Sequence, residues 1–139
     1  MRKSSFVIQS ALFLFLMIGC ASKEIQPVEL YPEDLCSSCR MAIVERTFAG
    51  ELITQEGDVF KFDDLGCMEK FKLMSSTKTF AAEFVNDYES NKWLKQAEST
   101  IIETHLATPM SSGLAAFSNP ERANAFQETE RATLSKENK

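Results

Sequence analysis

Val59-Phe-Lys-Phe-Asp-Asp-Leu-Gly-Cys-Met-Glu-Lys-Phe-Lys-Leu-Met74 changes its structural period halfway along. Val59-Phe-Lys-Phe62 is β-branched and aromatic and reads as a short strand. Asp63-Asp64 then offers a carboxylate to the free amides of a helix N-terminus. Leu65, Met68, Phe71 and Met74 follow at helical spacing, so a helix runs to about Met74 with Met68 and Met74 as core candidates. A strand running straight into a capped helix predicts an α+β fold. Upstream, Gln55-Glu-Gly-Asp58 is a turn signal. Residues 41–48 and 51–54 carry the composition of two further strands, giving a three-stranded meander. Downstream, Ser75-Ser-Thr-Lys-Thr79 ends the helix. Strands are expected at 80–88, 100–106 and 113–117, with 92–97 fitting either strand or helix. A loop at 108–112 is fixed by Pro109. Ser118-Asn-Pro-Glu121 opens a second helix, with Pro in its first turn and Glu three residues after Ser118. One domain over 35–130 is expected, built from small, mostly antiparallel sheets and two helices. The polar residues 131–139 should fray.

The N-terminus is organised differently. Met1-Arg-Lys3 is basic, residues 6–18 are apolar, and Gly19-Cys20 closes the run. This is the layout of a secretory signal over 1–19, too short to span a bilayer. Leu16-Met-Ile-Gly-Cys-Ala-Ser22 resembles a bacterial lipobox, with Met17 where Leu is usual, and makes Cys20 the lipid-bearing first residue. Each acyl chain contributes about 0.8 kcal/mol per buried methylene, so two or three hold a protein on a membrane. Residues 20–34, with two Pro and no periodicity, read as a tether. Loss of the signal removes Arg2 and Lys3, moving the net charge from −5 to −7. Export and an acidic balance exclude a cytosolic enzyme, a basic nucleic-acid binder and a polytopic membrane protein. The domain is placed in the bacterial envelope, in the periplasm or otherwise outside the cytoplasmic membrane. Ala21-Ser22 lacks an acidic inner-membrane retention signal and leans toward the outer membrane.

Three Cys remain, and three cannot all pair within one chain. Cys36-Ser-Ser-Cys39 serves redox sites, metal sites and plain disulfides alike. Met41, two residues on, shares a face with Cys39 if the segment enters a strand. A thiolate beside a thioether suits Cu(I) better than harder ions. The alternative is a disulfide followed by an apolar strand face. Thr104-His-Leu-Ala-Thr-Pro-Met-Ser-Ser-Gly113 carries the sole His and a Met with no periodic core around it. His105 equally fits a hydrogen-bonded structural residue. Cys67 sits at a helix N-terminus, which lowers a thiol pKa, near two carboxylates, which raise it. Its apolar neighbours also fit simple burial.

Cys39-Arg-Met41, Phe62-Asp-Asp-Leu-Gly-Cys-Met68 and Thr108-Pro-Met-Ser-Ser-Gly-Leu-Ala-Ala-Phe117 resemble, in order and spacing, the motifs of the NosL family over residues 34–128. These are bacterial lipoproteins regarded as copper chaperones for nitrous oxide reductase. The resemblance implies a pair of ββαβ units and a Cu(I) site using Cys39, Met41 and Met110. Cys36, His105 and Cys67 are further candidate donors. Ser111 stands where the family usually has the first Gly of Pro-Met-Gly-Ser-Gly, and Cys36 is not a general part of the motif. The implied protein catalyses no reaction: it is a membrane-anchored Cu(I) carrier delivering copper to a client such as nitrous oxide reductase. Three other readings compete: a thiol–disulfide redox lipoprotein working through Cys36 and Cys39, a general envelope metal carrier, and a structural lipoprotein with one disulfide and one buried Cys. Against the redox reading, the Cys pair precedes a strand instead of opening a helix.

Overall fold

The computed structural model describes residues 24–137; the signal at 1–19 and Cys20 lie outside the described residues. Strands β1 (Gly50–Thr54) and β2 (Val59–Phe62) form a hairpin in which Gly50 faces Phe62 and Ile53 faces Val59. Gly57 makes the turn at φ +93°, a conformation that Gly adopts without steric penalty. Helix α1 (Leu65–Met74) follows, its N-cap Asp64 accepting from the Gly66 amide at 2.7 Å. Strand β3 (Phe80–Asn86) returns antiparallel on the other side of β1, and β4 (Trp93–Lys95) adds an edge. The sheet order is β2-β1-β3-β4. β1, β2, α1 and β3 make a ββαβ unit.

α1 packs close on this sheet because Gly50 has no side chain. A Cβ there would collide with the Met68 sulfur and press on Leu65. Leu52, Phe62, Leu65, Met68 and Val85 fill the space between and are at most 2 % exposed. Phe71 stacks on Phe60 and Phe62 with centroids 4.8 and 5.2 Å away. Met74, expected in the core, is 77 % exposed, and its neighbour Leu73 is 80 % exposed, so the last helical turn faces solvent.

The second half is a hairpin of β5 (Thr100–Glu103) and β6 (Leu114–Phe117), covered by helix α2 (Pro120–Glu137). Asn119, not Ser118, accepts from the Arg122 amide at 3.0 Å in the first turn of α2. The helix continues through the segment expected to fray from Arg131. A ring cluster of Tyr88, Phe117 and Phe126, with centroids 5.1–5.6 Å apart, seals this half. The halves meet where Asp87 bridges in parallel to Ala116 and the Tyr88 amide donates to the Ala116 carbonyl at 2.8 Å. The protein is thus α+β, with antiparallel sheets and two helices.

Residues 41–48, expected as a strand, are not one. Arg40 sits at φ +67° and turns the chain back on itself. The Cys36 amide donates to the Met41 carbonyl at 2.8 Å and the Ile43 amide to the Asp34 carbonyl at 3.0 Å, around a single Leu35–Ala42 bridge. Arg46–Phe48 is a 3-10 turn whose Thr47 amide donates to Glu45 at 3.2 Å. The β-branched residues misled because their reason lies elsewhere: Ile43 is a buried anchor, while Val44 is 87 % exposed. The uncertain segment 92–97 resolves into β4 followed by a 3-10 turn at Gln96–Glu98.

Residues 24–34, read from sequence as tether, lie along the sheet. The Val28 amide donates to buried Glu51 at 2.8 Å, Leu30 is buried, and Glu24 pairs with Lys95. No helix among the described residues is long and apolar enough to cross a membrane.

Candidate metal centre

Three local structures converge at one end of the sheet. The first is the turn carrying Cys36 and Cys39. It is stitched to the edge strand β2 by Ser37, whose amide donates to the Lys61 carbonyl at 2.7 Å and whose hydroxyl accepts from the Lys61 amide at 3.2 Å. The second is the end of β2, where Asp63 follows Phe62. The third is the first turn of α1, which places Cys67 beneath the sheet. As a result the Sγ atoms of Cys36, Cys39 and Cys67 and a carboxylate oxygen of Asp63 lie within 4.8 Å of one another. All three Cys carry free thiols. Cys36, Cys67 and Asp63 are buried, and Cys39 is half-buried. The Cys39 thiol donates to Asp63 at 3.5–3.6 Å, and its amide donates to the Cys36 sulfur at 3.5 Å.

This environment disfavours thiolates. Burial pushes the Cys39 thiol up, and its hydrogen bond to Cys36 and the nearby charge of Asp63 add to the rise. Burial likewise drives Cys67 well above the ordinary thiol range, with Cys36, Asp63 and Cys39 adding to it. At neutral pH these are protonated thiols, poor nucleophiles but able to give up a proton to a soft cation. Three sulfurs and one carboxylate form a donor set for a d10 ion such as Cu(I) or Zn(II).

The other sequence candidates fall differently. Met41 lies in the Cys turn but is 57 % exposed. The strand that was to set it beside Cys39 is broken at Arg40, so the same-face argument does not hold. Met110 is 44 % exposed and belongs to a loop pinned to the start of α1. Its amide donates to Asp64 at 2.9 Å, and the Thr108 hydroxyl donates to the same carboxylate oxygen at 2.7 Å. A Cβ on Gly66 would lie 2.6 Å from that of Ser112, so the loop needs Gly there to close. Burial works to raise the Asp64 pKa, but hydrogen bonds from Ser112, Thr108 and the Met110 and Gly66 amides outweigh it and hold the carboxyl below its usual value. His105 is exposed, its amide donating to Glu130 of α2 at 3.0 Å, and it is not among the clustered donors. From sequence, Asp63 reads as a capping carboxylate and a charge near Cys67, not a donor. Its membership of the cluster had no signal in the sequence beyond its nearness to Cys67.

A family model for NosL matches residues 27–136. No curated protein matches the chain in sequence. Among solved structures, the crystal structure of the copper chaperone NosL from Shewanella denitrificans is similar in fold, with a TM-score of 0.64 at 19 % identity. The similarity covers 75 % of this chain and 87 % of that one. The chain belongs to the NosL family.

Proposed function

We propose that this protein is a lipid-anchored envelope carrier that binds Cu(I) and hands it to a copper-dependent client such as nitrous oxide reductase. The observation that carries the reading is the convergence of three free cysteines and a carboxyl group within 4.8 Å, in a member of this family. Cys39 is the thiol that reaches solvent, and it receives or releases the ion. The thioethers of Met41 and Met110, on the exposed rim, are its proposed partners during transfer. Transfer proceeds by ligand exchange: an incoming donor binds before an old one leaves, and no substrate is chemically changed. Cys20 supplies the anchor that keeps this exchange at a membrane.

The redox alternative is disfavoured by the same geometry. Cys36 is fully buried and Cys39 is held as a thiol, whereas attack on a disulfide needs an accessible thiolate. A general metal carrier is favoured by one feature, the hard carboxylate of Asp63 among the sulfurs. Competition titration of the reduced protein against a Cu(I) chromophore and a Zn(II) chromophore separates the two. One tightly held Cu(I), much weaker Zn(II), and weaker Cu(I) binding in Met41→Leu and Met110→Leu are expected. Equal preference for Zn(II), or no Cu(I) retained at micromolar protein, would sink the chaperone reading.

A further inference from the structure

Cys36, Cys67 and Asp63 lie outside the set of Cys39, Met41 and Met110, yet each places a donor atom within 4.8 Å of the Cys39 sulfur. Metal–sulfur bonds are about 2.3 Å long, so sulfurs sharing one ion stand roughly 4 Å apart. The observed limit of 4.8 Å leaves only a sub-ångström contraction to close the cluster on an ion. Exposure divides the donors into two tiers. Cys36, Cys67 and Asp63 are 0, 6 and 2 % exposed, whereas Met41 and Met110 are 57 and 44 % exposed. Cys39 lies between them.

Packing alone does not explain the lower tier. A buried Cys can serve as a small apolar residue. A carboxylate buried among three sulfurs is another matter, because it is expensive to desolvate unless strong donors or a cation answer it. The donor that Asp63 has here is the Cys39 thiol, at 3.5–3.6 Å.

Resting on the Cu(I) reading above, we propose that Cys36, Cys39 and Cys67 form a closed three-thiolate holding site, completed by Asp63, and that Cys39 belongs to this site and to the exposed one. Each thiol that binds gives its proton to water as its sulfur bonds to Cu(I), and no electron is transferred. The ion moves inward when the Cys36 and Cys67 sulfurs replace the thioethers, and outward by the reverse exchange, with Cys39 bound throughout. Charged thiolates hold Cu(I) against loss, and neutral thioethers release it, so storage and delivery are divided between the tiers.

The test uses the reduced, signal-free protein without oxygen, titrated with Cu(I) against a chromophoric competitor. Thiolate-to-copper ultraviolet absorption is recorded alongside, and circular dichroism checks folding. Cys36→Ala and Cys67→Ala are each expected to weaken Cu(I) retention about tenfold or more and to lower the absorption. If Cys67→Ala unfolds, the near-isosteric Cys67→Ser takes its place. Wild-type affinity and undiminished absorption in both variants would overturn the inner site while leaving a Cu(I) site at Cys39 standing. A wild-type protein that retains no Cu(I) would overturn both.

Discussion

Asp64 is the residue on which the most structure depends. One carboxylate caps α1 through the Gly66 amide and fastens the Met110 loop through Thr108 and the Met110 amide, 44 and 46 residues away in sequence. Replacing it by Ala removes a cap and leaves buried donors unsatisfied, and should destabilise the domain by about 2 kcal/mol or more in urea unfolding. Its depressed pKa also sets a pH dependence. Stability from ionised Asp64 is present above its unfolded value, near 3.8, and is lost as pH falls through the lower folded value. Asp64→Asn should therefore lose less stability than wild type between neutral and acid pH. In the same loop, Ser111 stands at φ +56°, in the left-handed region, where the family motif has Gly. Gly113, at φ +68°, would set a Cβ 2.7 Å from the Thr104 carbonyl oxygen. Ser111→Gly should leave the melting temperature unchanged or raise it, and Gly113→Ala should lower stability by more than about 1 kcal/mol. A destabilised Ser111→Gly protein would contradict the backbone conformation described here.

At the scale of elements, the N-terminal segment is held against the sheet by polar contacts. Lys61 reaches from β2 to the Glu29 carbonyl at 2.7 Å and to Asp34 at 2.6 Å, and Glu29 pairs with Arg46. The exposed pairs add little to stability. Glu51 of β1 differs, being fully buried with one oxygen bonded to the Val28 amide and the other without a partner. Burial pushes its carboxyl up, Asp34 adds to the rise, and the Val28 amide and Lys61 only partly oppose it. The native state therefore binds this proton more tightly than the unfolded chain. The resulting stability is fully present below the unfolded value near 4.5 and is lost as pH rises through the raised folded value. Glu51→Gln keeps an acceptor for Val28 and cannot ionise. It should be more stable than wild type at neutral pH and flatten the upper part of the stability–pH curve. A steeper fall with rising pH in the variant would assign the titration to another group.

For the whole molecule, the two halves meet at Asp87 and Ala116; the Cys36, Cys39, Cys67 and Asp63 cluster lies in the first half, and the Met110 loop of the second half is fastened to the neighbouring Asp64. The proposed anchor, Cys20, lies outside the described residues. The Cys20→Ser protein is expected to be folded and to leave the membrane fraction in a high-salt wash. Retention equal to wild type would count against lipidation at Cys20.

The sequence alone determined what depends on near neighbours. The β1–β2 hairpin, the Asp64 cap and the course of α1 all follow from signals within a few residues. The motif spacing likewise led to the family. What the sequence left undecided was which sulfurs meet. The Cys39–Met41 pairing assumed a strand, and the backbone reversal at Arg40 removed it, because a segment rich in β-branched residues becomes a strand only where a partner strand is free to pair with it. Cys67 reaches Cys36 and Cys39 only because Ser37 ties their turn to the edge of β2, and Asp63 joins them only because α1 starts there. Such contacts join residues 24 to 46 positions apart and depend on shape and hydrogen-bond complementarity between finished elements, which no local pattern encodes.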